Sequence, residues 1–215
     1  MADVKPRRTR RAEKAEATRR RVLDAAVGLF VERGYHSTTI ESIAVAADVS
    51  VETIYKRFGS KAGMLKAARD AAVADAPEPE EYFAFPAPPI EELLRSSTDQ
   101  RVQLHSLAEF SSRRLERLAP FHRMLRSAGT GDPELGDFIA GDHAARRERQ
   151  RDNIATIAAN GQLRLPPDEA GDTYAALANP DLYLLLTDQF GWTPQRFRDW
   201  LISTSEKLLL AGADR

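Results

Sequence analysis

A proline-rich segment limits what these 215 residues can fold into. Residues 75–89 read DAPEPEEYFAFPAPP, in which five of the 15 residues are proline and four are acidic. Proline lacks a backbone N–H and its ring clashes with the preceding turn, so a helix cannot run through this segment unbroken. The chain is therefore predicted to divide into a small N-terminal unit and a larger C-terminal unit.

Charge is distributed unequally on the two sides of this segment. Residues 1–70 contain 15 Lys and Arg and 9 Asp and Glu, a net charge of +6, although the whole chain has a net charge of -1. The remaining residues hold 16 of the 31 Lys and Arg and 23 of the 32 Asp and Glu, a net charge of -7. Such a division is expected when only one part of a chain meets a polyanion.

Composition excludes several classes of protein. Cysteine is absent, which rules out disulfides, thiolate metal ligands and a cysteine nucleophile. No apolar run approaches the roughly 20 residues that cross a bilayer, and no apolar block follows the basic N-terminus as it would in a secretory signal. We expect a cytoplasmic protein that has no cofactor, no bound metal and no membrane partner.

Helix signals follow one another closely before the proline-rich segment. Leu23, Val27 and Phe30 are spaced as one apolar stripe, and Gly34 stands where a glycine would end this first helix. Three further helices are expected to begin at residues that favour the N-cap position: Thr39, Ser50 and Ser60. Helices this short are marginal alone and must pack on one another. The pattern predicts a three-helix unit with a connector, and it contains a helix-turn-helix.

The third of these helices, residues 51–58, is predicted to present a polar face that suits DNA. Ile54 and Phe58 lie four residues apart and should face the other helices. This leaves the opposite side exposed, as in a recognition helix whose first residues reach base edges. The residues turned outwards, wholly or in part, are Val51, Glu52, Thr53, Tyr55 and Lys56.

These side chains have the chemistry of nucleic-acid contacts. Val51 can touch a thymine methyl group, and Thr53 can hydrogen-bond a base or a phosphate. The candidates for phosphate binding are Tyr55, Lys56, Arg57 and Lys61. Glu52 is better explained by the helix dipole, although it can also accept from a cytosine amino group. The alternative is a solvated amphipathic helix with a basic end.

The N-terminus can add the positive charge that the helix-turn-helix lacks. Residues 1–15 are predicted to form a flexible basic arm, which can follow phosphates or enter a minor groove. The arm residues expected to contact DNA are Arg7, Arg8, Arg10 and Arg11. A disordered tail that only improves solubility is the alternative.

Three stretches, RVLDAAVGLFVERGY, TTIESIA and VSVETIYKRFGSKAGML, together resemble the DNA-binding domain of the TetR (tetracycline repressor) family over residues 18–66. The resemblance implies an all-helical, homodimeric transcriptional regulator, usually a repressor. It further implies a helix-turn-helix domain at residues 16–76 and a larger helical domain at residues 77–215 that binds a small-molecule effector. The implied DNA contacts are Thr39, Ser50, Val51, Glu52, Thr53, Tyr55, Lys56, Arg57 and Lys61.

Three of these positions depart from the usual family pattern. A basic or small polar residue is more usual at Val51, a small residue or glycine at Glu52, and often histidine at Arg57. The departures do not affect the fold that the resemblance implies. They leave the operator sequence undetermined.

Helical patterns continue to the C-terminus, and Pro, Gly and Asp divide them into segments that include separate helices before and after Pro120. The last two segments begin with Asn179 and Thr193, each followed by proline. Both are so apolar that one monomer core cannot easily cover them, and the resemblance implies that they pair with their copies in a dimer. The alternative is that they complete an internal core. The predicted interface residues are Leu182, Leu186, Phe197, Trp200, Leu201 and Leu208.

A ligand cavity is expected between the helices of the C-terminal unit. Its candidate wall residues are Leu104, His105, Phe110, Phe121, Met124 and Phe138, and core packing is the alternative role for each. An enzyme is the alternative from another class, with a cavity near His105 or His143 as its site. No HExxH, glycine-rich phosphate loop or GxSxG motif is present, so we expect no enzymatic activity. A module that binds nucleic acid without sequence preference is the third possibility.

Overall fold

Helices form nearly all the regular structure in the residues that the computed structural model describes, which are 10–74, 89–129 and 131–212. The exception within these residues is a single antiparallel bridge between Leu163 and Leu210. The predicted all-α class is therefore confirmed. The chain divides into a unit of residues 1–75 with 130–132 and a unit of residues 76–129 with 133–215. The proline-rich segment lies almost wholly outside the described residues.

The described residues of the N-terminal unit form four helices. These are α1 (Arg10–Arg33), α2 (Ile40–Ala47), α3 (Val51–Phe58) and α4 (Lys61–Ala74). Gly34 ends α1 with a φ of 80°, and its N–H donates to the carbonyl oxygen of Phe30 at 3.0 Å. This left-handed conformation favours glycine, so the predicted end of the first helix is confirmed. The start differs: α1 already includes the last six residues of the predicted arm, because Arg, Ala, Glu and Lys all favour helix.

One face of each of these helices contributes to a shared core. Helix α1 packs on α2 and α4, and α3 packs on α2 and α4. The most deeply buried apolar residues are Val22, Ala26 and Phe30 of α1, Ile43 of α2, Ile54 of α3, and Met64 and Leu65 of α4. No single helix of this unit could bury its apolar face alone. The position of α3 therefore depends on its packing with the other three helices.

The C-terminal unit contains six further α-helices within the described residues. These are α5 (Ile90–Arg95), α6 (Gln100–Ala128), α7 (Pro133–Ala158), α8 (Pro167–Leu177), α9 (Pro180–Leu184) and α10 (Pro194–Leu209), and a π-helical turn over Leu185–Gln189 extends α9. The prediction of separate helices before and after Pro120 was wrong, because α6 continues through this proline. Its neighbours Ala119 and Phe121 are both buried, so packing on either side outweighs the cost of the missing N–H.

Helix α6 lies at the centre of this unit and packs against α5, α7, α9 and α10. The core around it includes the fully buried Tyr174 of α8, whose hydroxyl forms a 3.1 Å hydrogen bond with the hydroxyl of Ser111 on α6. The caps predicted for the last two segments are present, since Asn179 accepts from the N–H of Asp181 and Thr193 from that of Arg196. No helix in the described residues is both long and apolar enough to span a membrane.

Candidate nucleic-acid interface

The helix-turn-helix is formed by α2, the turn at residues 48–50, and α3. Thr39 and Ser42 make a reciprocal capping box at the start of α2, with N–H to Oγ distances of 3.1 and 3.3 Å. In the turn, Asp48 adopts a left-handed φ of 52°, which Asp tolerates better than most residues. Ser50 then caps α3 by accepting from the N–H of Thr53 at 3.2 Å. Both predicted N-caps are confirmed, and together they fix where α3 begins.

The predicted division of α3 into an inner and an outer face agrees with the exposure of its side chains. Ile54 is 1% exposed, and Phe58 is half-buried. On the other side Glu52, Tyr55 and Lys56 are exposed, and the tyrosine retains 49% of its accessible surface. The described residues of this unit thus leave an acidic, an aromatic and a basic side chain available to a partner on one short helix.

Three of the predicted contact residues take part in holding the helices. The hydroxyl of Thr39 belongs to the capping box, and the hydroxyls of Ser50 and Thr53 lie 2.9 Å apart. Val51 and Thr53 are half-buried rather than fully exposed. Their contacts with DNA stay predictions, and any such contact has to be compatible with the caps that these residues form.

Lys61 fastens the turn that precedes α2. Its Nζ donates to the carbonyl oxygen of Tyr35 at 2.8 Å and of Thr38 at 2.9 Å, and it lies 4.3 Å from the centroid of the Tyr35 ring. Desolvation lowers the pKa of Lys61, while the nearby charge of Asp132 acts in the opposite direction. From the sequence, Lys61 could be recognised only as a cation at the start of a helix. Its carbonyl partners could not be predicted, because they lie 23 and 26 residues away along the chain.

Arg57 also makes an internal contact. Its Nη1 donates to the backbone carbonyl of Ala15, which ties the end of α3 to the first half of α1. Of the predicted arm, Arg7 and Arg8 lie outside the described residues. Arg10 and Arg11 begin α1, but their side chains are also outside the described part. The role of the arm stays a prediction.

Gly63 is a structural requirement of this site that sequence reasoning missed. A Cβ at this position would collide with the carbonyl oxygen of Phe58, the last residue of α3. The N–H of Gly63 also donates to Oγ of Ser60 at 2.8 Å, so the predicted cap of α4 is confirmed. The sequence did contain a signal, which is a glycine in the first turn of a helix. Glycine has low helix propensity, so its presence there indicates that close packing excludes a side chain.

The six predicted cavity residues differ in burial, and their role in a cavity stays a prediction. Leu104 belongs to the core of the C-terminal unit and Phe110 packs against it, whereas His105 is exposed. None of the six predicted wall residues lines either of two cavities in this unit, one of about 320 Å³ beside Asp172 and one of about 500 Å³ beside Ser112. Core packing, the alternative role, applies to Leu104 and Phe110.

Several predicted interface residues serve the internal core instead. Phe197 and Leu201 are 0% exposed and Leu186 is 7% exposed in the single chain, so they cannot form the contact surface of a partner. Helix α10 directs Phe197 and Leu201 towards α6 and α8, and Leu186 of the π-helical turn belongs to the same core, so the single chain buries all three. The remaining predicted residues are Leu182, Trp200 and Leu208, which are half-buried or exposed.

No group of three or more His, Asp or Glu side chains able to hold a metal ion occurs in the part of the chain that the structure describes. His143 lines the cavity beside Asp172, where the side chains of Arg146 and Arg147 are both ion-paired.

Comparisons with known proteins agree with this geometry. A family model described as bacterial regulatory proteins of the tetR family matches residues 22–68. Over 50 residues the chain is 46% identical to the uncharacterized HTH-type transcriptional regulator YvkB of Bacillus subtilis. This aligned region makes up 23% of this chain and 26% of YvkB. The chain thus matches about a quarter of the length of this curated relative.

Solved structures match over nearly the whole chain. A transcriptional regulator from Saccharomonospora viridis in complex with choline is 23% identical, with a TM-score of 0.66 over 92% of this chain and 99% of that one. NalD, the secondary repressor of the MexAB-OprM multidrug efflux pump in Pseudomonas aeruginosa, is 22% identical. Its TM-score is 0.65, and the match covers 93% of this chain and 99% of NalD. At such identities the likeness shows a shared fold. The matched family consists of regulators, so an enzyme is not favoured.

Proposed function

We propose that this chain, whose residues 22–68 belong to the TetR family of bacterial regulatory proteins, is a cytoplasmic repressor of transcription. In this proposal it binds a palindromic operator as a homodimer, and a small molecule bound by the C-terminal unit releases the DNA. The observation that carries the proposal is the exposed face of α3. The N-caps of α2 and α3 and the core shared by α1 to α4 hold this face in place. NalD is a repressor and the Saccharomonospora protein binds choline, which supports both parts of the proposal by analogy.

The structure refines which side chains we assign to direct contact. Glu52, Tyr55 and Lys56 are exposed on α3 and are assigned to the DNA surface. Lys61 and Arg57 bind carbonyl oxygens of their own unit, so we assign them chiefly to positioning α3. An exposed aromatic beside a lysine can pack on the sugar-phosphate backbone while the lysine neutralises a phosphate.

Apolar residues near the C-terminus support a dimer. Phe190 is 61% exposed and Leu208 is 45% exposed, and half-buried Leu182, Trp192 and Trp200 lie on the same two segments. A cluster of exposed large apolar side chains usually marks an interface, and a second copy of the chain would cover it. A two-fold dimer would present two copies of α3 to half-sites about 34 to 36 Å apart.

Binding to DNA is tested by fluorescence anisotropy on the region upstream of the protein's own gene, with a scrambled duplex of equal length as competitor. We expect a complex with the upstream region that survives competition at two salt concentrations. Tyr55→Ala and Lys56→Ala should each weaken it about tenfold, and Lys56→Ala should reduce the slope of log affinity against log salt by about one. Arg149→Ala, which removes an exposed cation on α7, is the matched control and should change neither value.

Other outcomes would contradict specific parts of the proposal. Equal affinity for every duplex would favour a module without sequence preference. Unchanged binding in both α3 variants would show that DNA meets another surface. A mass of 23.9 kDa for the free protein, together with one chain per duplex in the complex, would exclude the homodimer.

A further inference from the structure

A cavity of about 500 Å³ lies in the C-terminal unit between α6 and the start of α10. This volume is within the range of about 300 to 1,000 Å³ that is usual for small-molecule sites. The residues that line it are Ser112, Arg113, Glu116, Arg117, Thr193, Pro194, Gln195 and Arg198. All are on two elements of one unit, so the site does not depend on the N-terminal unit.

Ser112 is the first feature that suits this cavity to a ligand. The residue is only 4% exposed, and its Oγ has no hydrogen-bond partner among the described residues. The adjacent Ser111, by contrast, is hydrogen-bonded to Tyr174. A buried hydroxyl without a partner destabilises the folded chain. A ligand atom in the cavity would supply the missing partner.

The charges around the cavity favour an anion. Arg113 and Arg198 share one carboxylate, that of Glu109, at 3.1 and 4.0 Å. Arg117 is exposed and has no ion pair among the described residues. The start of α10 contributes the positive end of a helix dipole to the same cavity.

We propose that this cavity binds a small organic carboxylate. The guanidinium of Arg117 donates to the carboxylate oxygens, Arg198 supports it from α10, and the hydroxyl of Ser112 donates to the same group. A planar guanidinium matches the two oxygens of a carboxylate. Glu116 lines the same cavity and Glu109 lies beside it, so a dianion such as phosphate is repelled more strongly than a single carboxylate.

That this carboxylate acts as the effector rests on the proposed function, whereas the binding site itself does not. Helix α6 and α10 both belong to the packed core, so a ligand that draws Arg117 and Arg198 together acts on the two helices at once. Binding energy that depends on the position of these helices can be coupled to a change of conformation, and the coupling must be reciprocal.

The test is titration calorimetry of the full-length protein with acetate, benzoate, phenylacetate and succinate. Acetamide, benzamide, phenylacetamide and succinamide serve as neutral isosteres, and inorganic phosphate is a separate arm. We expect at least one carboxylate to bind at least tenfold more tightly than its amide. Arg117→Gln and Ser112→Ala should each weaken this binding about tenfold. The exposed Arg149→Gln is the control and should bind like the unmodified protein.

Each contrary result identifies what is wrong. If no carboxylate binds in a manner that depends on Arg117, the site is overturned. If phosphate binds as tightly as the best carboxylate and loses affinity in Arg117→Gln, the ligand class is overturned. If the carboxylate binds but leaves operator affinity unchanged, its effector role fails while the site stands. Failure of the unliganded protein to bind any operator contradicts the proposed function and leaves the cavity result intact.

Discussion

The caps that start the helices of the N-terminal unit and the ion pairs that join helices of the C-terminal unit differ in their range along the chain. In the N-terminal unit, the hydroxyls of Thr39, Ser50 and Ser60 bond to N–H groups three residues away. In the C-terminal unit, Arg123 of α6 makes a two-point ion pair with Asp188, which is 65 residues away, and Arg147 of α7 makes one with Asp172 of α8. Short-range contacts can be inferred from spacing, whereas long-range pairs cannot.

This difference explains how the two units can serve different purposes. In the proposed function, α3 has to start at a defined residue, and its local cap contributes to fixing that start. The same proposal requires helices of the C-terminal unit to shift when a ligand binds, and side-chain pairs between helices are compatible with such a shift. The same difference predicts that substitutions in each unit act on separate measurable properties.

The largest effect is expected from Gly63→Ala in the N-terminal unit. The new methyl group would collide with the carbonyl of Phe58, and backbone would have to move because no side chain can give way. We expect the free energy of unfolding of this unit to fall by about 3 kcal/mol and operator binding to be lost. Both tryptophans lie in the C-terminal unit, so far-ultraviolet circular dichroism should show an early transition that tryptophan fluorescence does not.

Gly28→Ala on α1 is the matched control for that experiment. A Cβ at Gly28 meets nothing within 4 Å, so the helix should gain up to about 1 kcal/mol. A Gly63→Ala protein that binds DNA normally would show that the junction of α3 and α4 tolerates a side chain, contrary to the geometry described here.

A smaller effect is expected from Gly171→Ala, which tests a long-range contact in the other unit. A Cβ at Gly171 of α8 would lie 2.8 Å from the Cα of Arg151 on α7, and these helices pack closely. Denaturation followed by tryptophan fluorescence should show a loss of about 2 kcal/mol, with the N-terminal transition unchanged. Gly141→Ala on the exposed side of α7 is the control and should not destabilise the protein.

The smallest effect is expected from Asp172→Asn and depends on pH. Hydrogen bonds from Arg147 and then Arg151 lower the pKa of Asp172 well below its ordinary value. A carboxylate whose pKa is lower in the folded state stabilises that state above its unfolded pKa, near 4, and loses this contribution as the pH falls further. The melting temperature of Asp172→Asn should therefore be lower than that of the unmodified protein at pH 7, and the difference should shrink below pH 4. Asp137→Asn on the exposed face of α7 is the control, and an equal change in both variants would contradict this role of Asp172.

Prediction from sequence was accurate where a residue acts on its near neighbours in the chain. The caps at Thr39, Ser50, Asn179 and Thr193 all form as expected, because side-chain oxygen and N–H are brought together by two or three residues of backbone. Pro120 is the exception, since its local preference is opposed by packing on both sides. Local rules therefore fail where a residue's burial outweighs its backbone preference.

The candidate sites show the same limit. Apolar periodicity on α10 was correctly recognised, but it could not separate Phe197 and Leu201, which are fully buried in the internal core, from Leu208, which is 45% exposed. Likewise Lys61 was identified as a cation at a helix start, but its carbonyl partners at Tyr35 and Thr38 were not. In each case the missing information is which other segment lies opposite.

The sequence by itself determined the all-helical class, the start of α3 and the side chains on its outer face. These follow from hydrogen bonds and periodicity within a few residues, which the order of amino acids specifies directly. Only the tertiary structure decided that Lys61 supports the turn, that α10 completes a core, and that Ser112 and Arg117 line one cavity. These depend on packing between distant segments, where burial and shape rather than local spacing select the neighbours.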